Sequence, residues 1–339
     1  MEKNKTYLPA EWHYQNMVQV VFPCETTDWY KYLDDAIDTF INIVKSIQPY
    51  QKVLIIASKL NYIKSLFPIK KNLIFVKLDY NDTWSRDFGG ITMFRDGKPF
   101  ILDFTFNAWG KKFPYELDNQ ITRKLKLKGV FREYNHQIIP FVLEGGAIDS
   151  NGNGVLLTSS KTLLEKNRNP KLTKNTIDKK LKQFFNLKDI IWLEHGALEG
   201  DDTDSHIDTL ARFVSEDTIV YQTAYKTDKN YTELKKMEKE LISKVKKYNF
   251  RLIPLPPISP IFLEDEQLPA TYVNFLITNK AVLVPIYQDK NDKKTLGIFD
   301  KLFPTRKIIP IDATTLIKQH GSVHCVTMQY HINTTKGNK

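Results

Sequence analysis

Cys325 sits in GSVHCVTMQ (321–329), with His324 beside it, and Cys24 is the chain's other cysteine. A thiolate is both a nucleophile and a metal ligand. The segment reads as a β-stretch, in which neighbouring side chains point to opposite faces. On that reading His324 is not the base for Cys325, and a nucleophilic Cys325 needs a histidine from elsewhere in the chain. Burial preference alone favours an inert, buried cysteine at 325, and the same reading applies to Cys24.

His206 and Asp208 in SHID (205–208) are two residues apart and share a face if the segment is a strand. A histidine beside a carboxylate suits a catalytic pair or a metal site, and Asp201, Asp202 and Asp204 just before it keep the metal reading open. The bland alternative is a solvated acidic loop. His13, His136, His195, His320 and His331 have no partner at an informative spacing and read as structural. Asp149, Asn151, Asn153 and Gly154 resemble the start of a calcium loop. Its twelfth position is Ser160 rather than glutamate, so the segment reads as a hairpin turn.

Two more acids precede glycine pairs: Asp87 in WSRDFGG (84–90), next to Arg86, and Glu144 in LEGG (143–146). An acid before glycines after an apolar run marks a strand end where the backbone turns sharply. Neither has the spacing of a phosphate-binding loop. Asp87 and Glu144 are 57 residues apart, Glu144 and His206 are 62, and His206 and Cys325 are 119, about twice the earlier gaps. If each repeat offers one strand end to a common axis, these groups meet there.

The elements that must position them alternate. Strands are expected at 52–58, 72–78, 138–146, 154–160 and 190–194. Hairpins are expected at 91–104, turning at Asp96-Gly97, at 209–224, turning at Glu216-Asp217, and at 272–287, turning near Asn279. Helices are expected at 31–47, 114–128, 175–185 and 231–249. In the first helix Leu33, Ile37, Phe40, Ile41, Val44 and Ile47 form one apolar face. The repeating unit is strand, turn, strand, helix, strand, and it recurs every 60 to 70 residues. No Gly/Pro/Ser-rich linker divides the chain. A single domain over 1–335 with a polar tail over 336–339 is expected, rather than a doubly wound sheet, which would need parallel units throughout.

The composition of the 339 residues is globular: 42% hydrophobic and 26% charged. The net charge is +10, but only eight of the 49 basic residues are arginine, and runs such as 124–128 and 235–247 read as solvated faces. Base and phosphate recognition favour arginine and a binding motif, so no nucleic-acid partner is expected. No apolar run reaches a membrane span, and the first 15 residues lack the apolar core of a signal peptide. A cytoplasmic protein with two free thiols is expected, with no membrane partner.

The stretches NDTWSRDFGG, FTFNAWGKKFPYELDNQ, LEGGAID, GDDTDSHIDTLARF, LPATYVNFL and HGSVHCVTMQ, taken together and in this order, resemble agmatine deiminases. These belong to the guanidino-group-modifying superfamily that includes the peptidylarginine and arginine deiminases. The resemblance covers about residues 10 to 330. It implies a five-bladed α/β propeller of ββαβ modules with pseudo-fivefold symmetry. It implies Cys325 as nucleophile, His206 as general acid/base, Asp87 and Asp208 as a guanidinium clamp, and Glu144 as an active-site acid near the histidine. Trp84 and Trp109 fall at positions lining the substrate slot. The implied partner is a small cationic guanidino substrate, agmatine, converted to N-carbamoylputrescine and ammonia with no metal or cofactor, in an enzyme of a kind commonly homodimeric. Gly90, Asp149 and Ser205 depart from the family pattern, which has Pro, His and Gly there in many relatives. Deimination of free or peptidyl arginine, metal-dependent hydrolysis through His206 and Asp208, and non-enzymatic polyanion binding are the competing readings.

Overall fold

Short runs of β-branched and aromatic residues, bounded by turn residues, form strands that are too short to stand alone and must pair. The computed structural model describes residues 6–333, so the expected tail at 336–339 lies outside the described residues. Five sheets among them share one plan: an antiparallel pair, then a third strand parallel to the second and reached through a helix. One pairs Ile91–Arg95 with Lys98–Thr105 and, after helix Ile121–Leu127, adds Asn135–Val142. The next joins Ile148–Ser150, Val155–Ser159 and Asp189–Leu193, with helix Lys174–Phe185 crossing over. Ala211–Ser215, Thr218–Gln222 and Arg251–Leu255 follow, with helix Tyr231–Val245. Leu276–Ile277, Ala281–Ile286 and Lys307–Asp312 form the fourth, with helix Asp292–Leu302.

The remaining sheet joins the two ends of the chain. Thr327–His331 runs antiparallel to Gln15–Val21, which pairs in parallel with Lys52–Ala57, and Leu73–Lys77 adds a fourth strand. Helix Leu33–Ile47 bridges its second and third strands and buries Ala36, Ile37, Phe40, Ile43, Val44 and Ile47. Ile43 joins the buried face, and the expected Leu33 and Ile41 are partly buried and pack against the same core.

The repeating unit read from sequence is the observed one. Strands Gln15–Val21, Arg251–Leu255 and Lys307–Asp312 were not foreseen. The last two contain Pro254 and Pro310, which weaken a strand signal but are tolerated on an edge, where no partner needs the missing N–H. The helix expected over 114–128 is shorter: Asp118–Gln120 is a 3₁₀ turn, and the α-helix begins at Ile121. The Asp118 carboxylate accepts backbone N–H groups from Asn81 at 2.7 Å and from Asp82, tying this segment to a neighbouring loop. Among the described residues no helix is long and apolar enough to cross a membrane.

The segment just before the first strand of each sheet is irregular and buried. These five segments contain Asp87, Glu144, His206 with Asp208, Asn274, and Cys325.

Candidate active site

Each functional side chain is aimed by a tight turn at a strand entrance. Asp87 lies in the helical turn Ser85–Phe88, and Glu144 caps the 3₁₀ turn Gly145–Ala147. His206 caps the helical turn Ile207–Leu210, which carries Asp208, so SHID is not the strand its spacing suggested. Cys325 lies in the turn 323–326, ahead of its strand. The opposite-face argument for His324 therefore fails, and both ring nitrogens of His324 are instead engaged with carboxylates. Nδ1 lies 2.7 Å from Asp208 Oδ2, and Nε2 lies 2.7 Å from Glu11 Oε2.

Three of the groups meet at Gly146. A Cβ there would fall 2.6 Å from His206 Nδ1, 2.8 Å from Asp87 Oδ1 and 3.1 Å from Asp208 Oδ2. Only a glycine permits this approach. The Gly146 N–H donates to Asp87 Oδ1 at 3.0 Å, and the Trp109 indole N–H donates to Asp87 Oδ2 at 3.0 Å. His206 Nδ1 lies 3.6 Å from Asp87 Oδ1. The Asn274 side-chain oxygen accepts the backbone N–H of His324 at 2.8 Å and of Cys325 at 3.2 Å, and the Cys325 thiol at 3.4 Å. Its amide donates to the Asp208 carbonyl at 3.3 Å, so one asparagine ties the Cys325 turn to the Asp208 turn.

All of these groups are buried: Cys325 is 6% exposed, Asp87 3%, His206 and Asp208 1%, and Glu144 0%. Burial, then the Asp208 and Asp87 charges, pushes the Cys325 thiol well above its ordinary value. Burial also raises Asp87 to about 6, against the pull of His206. Burial opposes the charged form of Asp208, but the His324 hydrogen bond and the nearby cationic groups outweigh it, and its pKa falls. Three buried polar atoms here have no protein partner: Asp208 Oδ1, His206 Nε2 and Glu144 Oε2. Buried polar groups are normally paired, so orphans concentrated among such residues mark a place for a ligand.

Glu144 is held from behind. Its Oε1 accepts Arg168 Nε at 2.8 Å, and Arg168 goes on to Asp204 at 2.7 Å and the Thr203 carbonyl at 2.9 Å. Two of the acids at 201–204, Asp201 and Asp204, are spent on this loop. Asp201 accepts the Thr203 hydroxyl at 2.6 Å and the Ser205 N–H at 2.6 Å, while Asp204 pairs with Arg168 and Lys112. Among the described residues no group of three His, Cys, Asp or Glu side chains is arranged to hold a metal ion.

A cleft of about 930 Å³ is lined by both Trp84 and Trp109; Asp87, Glu144, His206, Asp208 and Cys325 lie outside its lining, and the Trp109 indole links it to Asp87. The Trp84 indole donates to Asp82 at 3.0 Å, and its ring lies against Gly321, four residues before Cys325. Trp109 is placed by four consecutive residues with positive φ, Ala108 to Lys111, a backbone conformation costly for all but Gly110. Seven carboxylates line the cleft, including Asp82, Asp118, Asp202 and Glu266, and none of its described lining residues is lysine or arginine. Burial raises Asp82 to about 7, Asp118 to about 8 and Asp202 to about 6.

His320, read as structural, lines the cleft and bonds the Gly200 carbonyl at 2.7 Å. His136 pairs with Asp103, and His195 lies near Glu233, both away from the cleft. Ser205, one of the expected departures, stands at φ 67°, a left-handed conformation that favours glycine. Asp149 accepts from Arg212 Nε at 3.4 Å and from the Phe213 N–H at 2.6 Å, so that departure is absorbed behind the site. Glu11, Arg212, Asn274 and His324 had no assigned role. Asn274 lies in LPATYVNFL, at the strand entrance where the repeat spacing calls for a fifth functional residue, whereas nothing in the sequence around Glu11 signals its position.

Residues 7–330 match the family described as Porphyromonas-type peptidyl-arginine deiminase. A curated protein of Shewanella sp., named "Putative agmatine deiminase", is 30% identical, with 95% of this chain and 93% of that protein aligned. The C. jejuni agmatine deiminase, solved as a Cys-to-Ser variant with substrate bound, is 44% identical over 96% of each chain, with a TM-score of 0.92. The agmatine deiminase of Enterococcus faecalis is 26% identical over 96% of each chain, with a TM-score of 0.87. The chain thus has a mixed α/β fold shared with solved agmatine deiminases, and it belongs to the Porphyromonas-type peptidyl-arginine deiminase family.

Proposed function

We propose that this chain is an agmatine deiminase, hydrolysing agmatine to N-carbamoylputrescine and ammonia through a covalent amidino-cysteine. The observation that carries the reading is the trio of orphaned buried atoms, Asp208 Oδ1, His206 Nε2 and Glu144 Oε2, beside Asp87 and Cys325. A guanidinium is planar and cationic, and its N–H groups complement such acceptors.

In this reading Asp87 and Asp208 clamp the guanidinium, while Glu144 supplies a further acceptor. Burial and the two carboxylates hold the Cys325 thiol protonated, and the bound cation offsets the carboxylates. Sγ then bonds to the guanidinium carbon, and the thiol proton passes to His206. His206 delivers it to the departing nitrogen, the C–N bond breaks, and ammonia leaves. In the second half His206 takes a proton from water, and the hydroxide adds to the amidino carbon. The C–S bond breaks, the thiol is restored, and the ureido product departs. Trp84 and Trp109 wall the slot.

The cleft supports agmatine over arginine. A distal ammonium suits its carboxylates and aromatic faces, whereas an α-carboxylate would meet the same charges with no lysine or arginine among the described lining residues. We further read the five sheets as blades of a propeller with pseudo-fivefold symmetry, in a single domain over 1–335, and the enzyme as a cytoplasmic homodimer.

Ammonia and ureido product measured with agmatine, L-arginine and a blocked peptidyl arginine, each with EDTA present, test this. Rapid turnover of agmatine alone is expected. Preference for either arginine form would overturn the substrate assignment, and inertness toward all three would overturn the reaction.

A further inference from the structure

His324 is the immediate neighbour of Cys325, yet its ring is committed elsewhere, lying between two carboxylates at 2.7 Å on opposite edges. A neutral imidazole has one donor and one acceptor nitrogen, while an ionised carboxylate only accepts. A neutral ring here would set an acceptor nitrogen against an acceptor oxygen on one edge, in a site where both partners are buried. One shared proton removes the conflict. Glu11 is a poor place for it, because Glu11 also lies 2.9 Å from Arg212 Nη2 and 3.7 Å from Arg86 Nη2, and accepts the Ile277 N–H at 2.6 Å. Asp208 is a poor place because a neutral carboxyl could not hold a cation.

We propose that His324 is a positioning residue: an imidazolium donating from both ring nitrogens, it anchors Asp208 Oδ2 and leaves Oδ1 alone to face substrate, with Glu11 as its counter-ion. This rests on the reading of Asp208 as a guanidinium clamp. Burial, and then Arg212 and Arg86 packed on the same network, pull the His324 pKa below its ordinary value and oppose the extra positive charge. Glu11 and Asp208 hold it in place from both edges, and Asp149 neutralises part of Arg212. The arrangement also accounts for Oδ1 being the orphan: the other Asp208 oxygen is already committed.

Two readouts test it. Ring ¹⁵N NMR of the free protein should show one histidine with both nitrogens protonated from pH 6 to 8, and that signal should vanish in His324→Asn. A single ring N–H for His324 overturns the proposal whatever the activity. In the second, agmatine affinity is measured calorimetrically in the Cys325→Ser background. An asparagine amide overlays Nδ1 and keeps the Asp208 contact, whereas a glutamine amide overlays Nε2 and keeps only the Glu11 contact. His324→Gln should weaken binding about tenfold or more and His324→Asn by about threefold or less, scaled to a charge-assisted hydrogen bond. Equal losses, or none, overturn the positioning role. If neither variant folds, Glu11→Gln carries the test: the ring should turn neutral below pH 8, and an unchanged ring overturns the proposal. A wild-type protein inert toward agmatine but with the doubly protonated ring would defeat the functional reading and leave the network standing. Turnover with a neutral ring would do the reverse.

Discussion

The buried layer that holds Asp87, Asp208, Glu144 and Cys325 and the cleft lined by Trp84 and Trp109 are both acidic, but they handle charge differently. In the layer, Asp87, Asp208 and Glu144 are buried, and most of their oxygens are fixed by Gly146, Trp109, His324 or Arg168. In the cleft, seven carboxylates are spread around about 930 Å³, with raised pKa values at Asp82, Asp118 and Asp202. The first arrangement is geometric. It suits a planar group that must present one carbon to Sγ, because a misplaced reacting centre costs far more than a weakened attraction. The second is a field. It suits a flexible cationic tail that needs only a favourable potential.

The largest expected effect tests whether chemistry resides in the layer alone. Cys325→Ser should cut turnover on the order of 10⁴-fold or more while agmatine still binds, checked by product assay and calorimetry. Comparable loss of both would mean the cysteine is structural. Next, Asp87→Asn and Asp208→Asn should each lower kcat/KM about 30- to 100-fold, the scale of a buried charge-assisted hydrogen bond. If cleft variants matched them, the division between layer and cleft would collapse. Trp109→Phe keeps an aromatic wall but deletes the N–H to Asp87, and about a five- to tenfold drop in kcat/KM is expected.

In the cleft, Asp202→Asn and Glu266→Gln should raise KM about two- to fivefold at low salt, and the difference should fade in about 0.5 M salt through screening. A salt-independent effect would make the cleft geometric too. The smallest effect concerns pH. Burial raises Asp82 to about 7 and Asp118 to about 8, so the folded state holds these protons more tightly than the unfolded chain does. Their stabilising contribution is complete below the ordinary carboxylate range and is lost as pH rises through 7 to 8. The ligand-free thermal midpoint should therefore fall from pH 6 to 8.5, and agmatine should offset part of the fall. A midpoint that rises over this range would count against it.

Much of the layer was legible from residue type and spacing. Asp87, Glu144, His206 and Cys325 stand before first strands because each repeat enters its sheet in the same way, and the doubled gap before Cys325 spans the module that supplies Asn274 instead. What failed was local conformation. SHID and the cysteine segment alternate like strands, yet both are turns, because the hydrogen bonds their backbone N–H groups donate to the Asp201, Thr203 and Asn274 side chains outweigh local preference. The acids at 201–204 suggested a metal because sequence shows the charges but not Arg168 and Lys112, which meet Asp204 from 36 and 92 residues upstream.

By itself the sequence determined the repeating unit, the burial of its apolar faces and the chemical inventory at each strand entrance. These follow from periodicity and side-chain type, which are properties of neighbours along the chain. Only the tertiary structure decided that Glu11 reaches His324, that the chain's ends share a sheet and that seven acids face one cleft of a net-basic protein. Those outcomes depend on contacts between residues as far apart as Gln15 and His331, 316 positions, for which no local pattern encodes the distance.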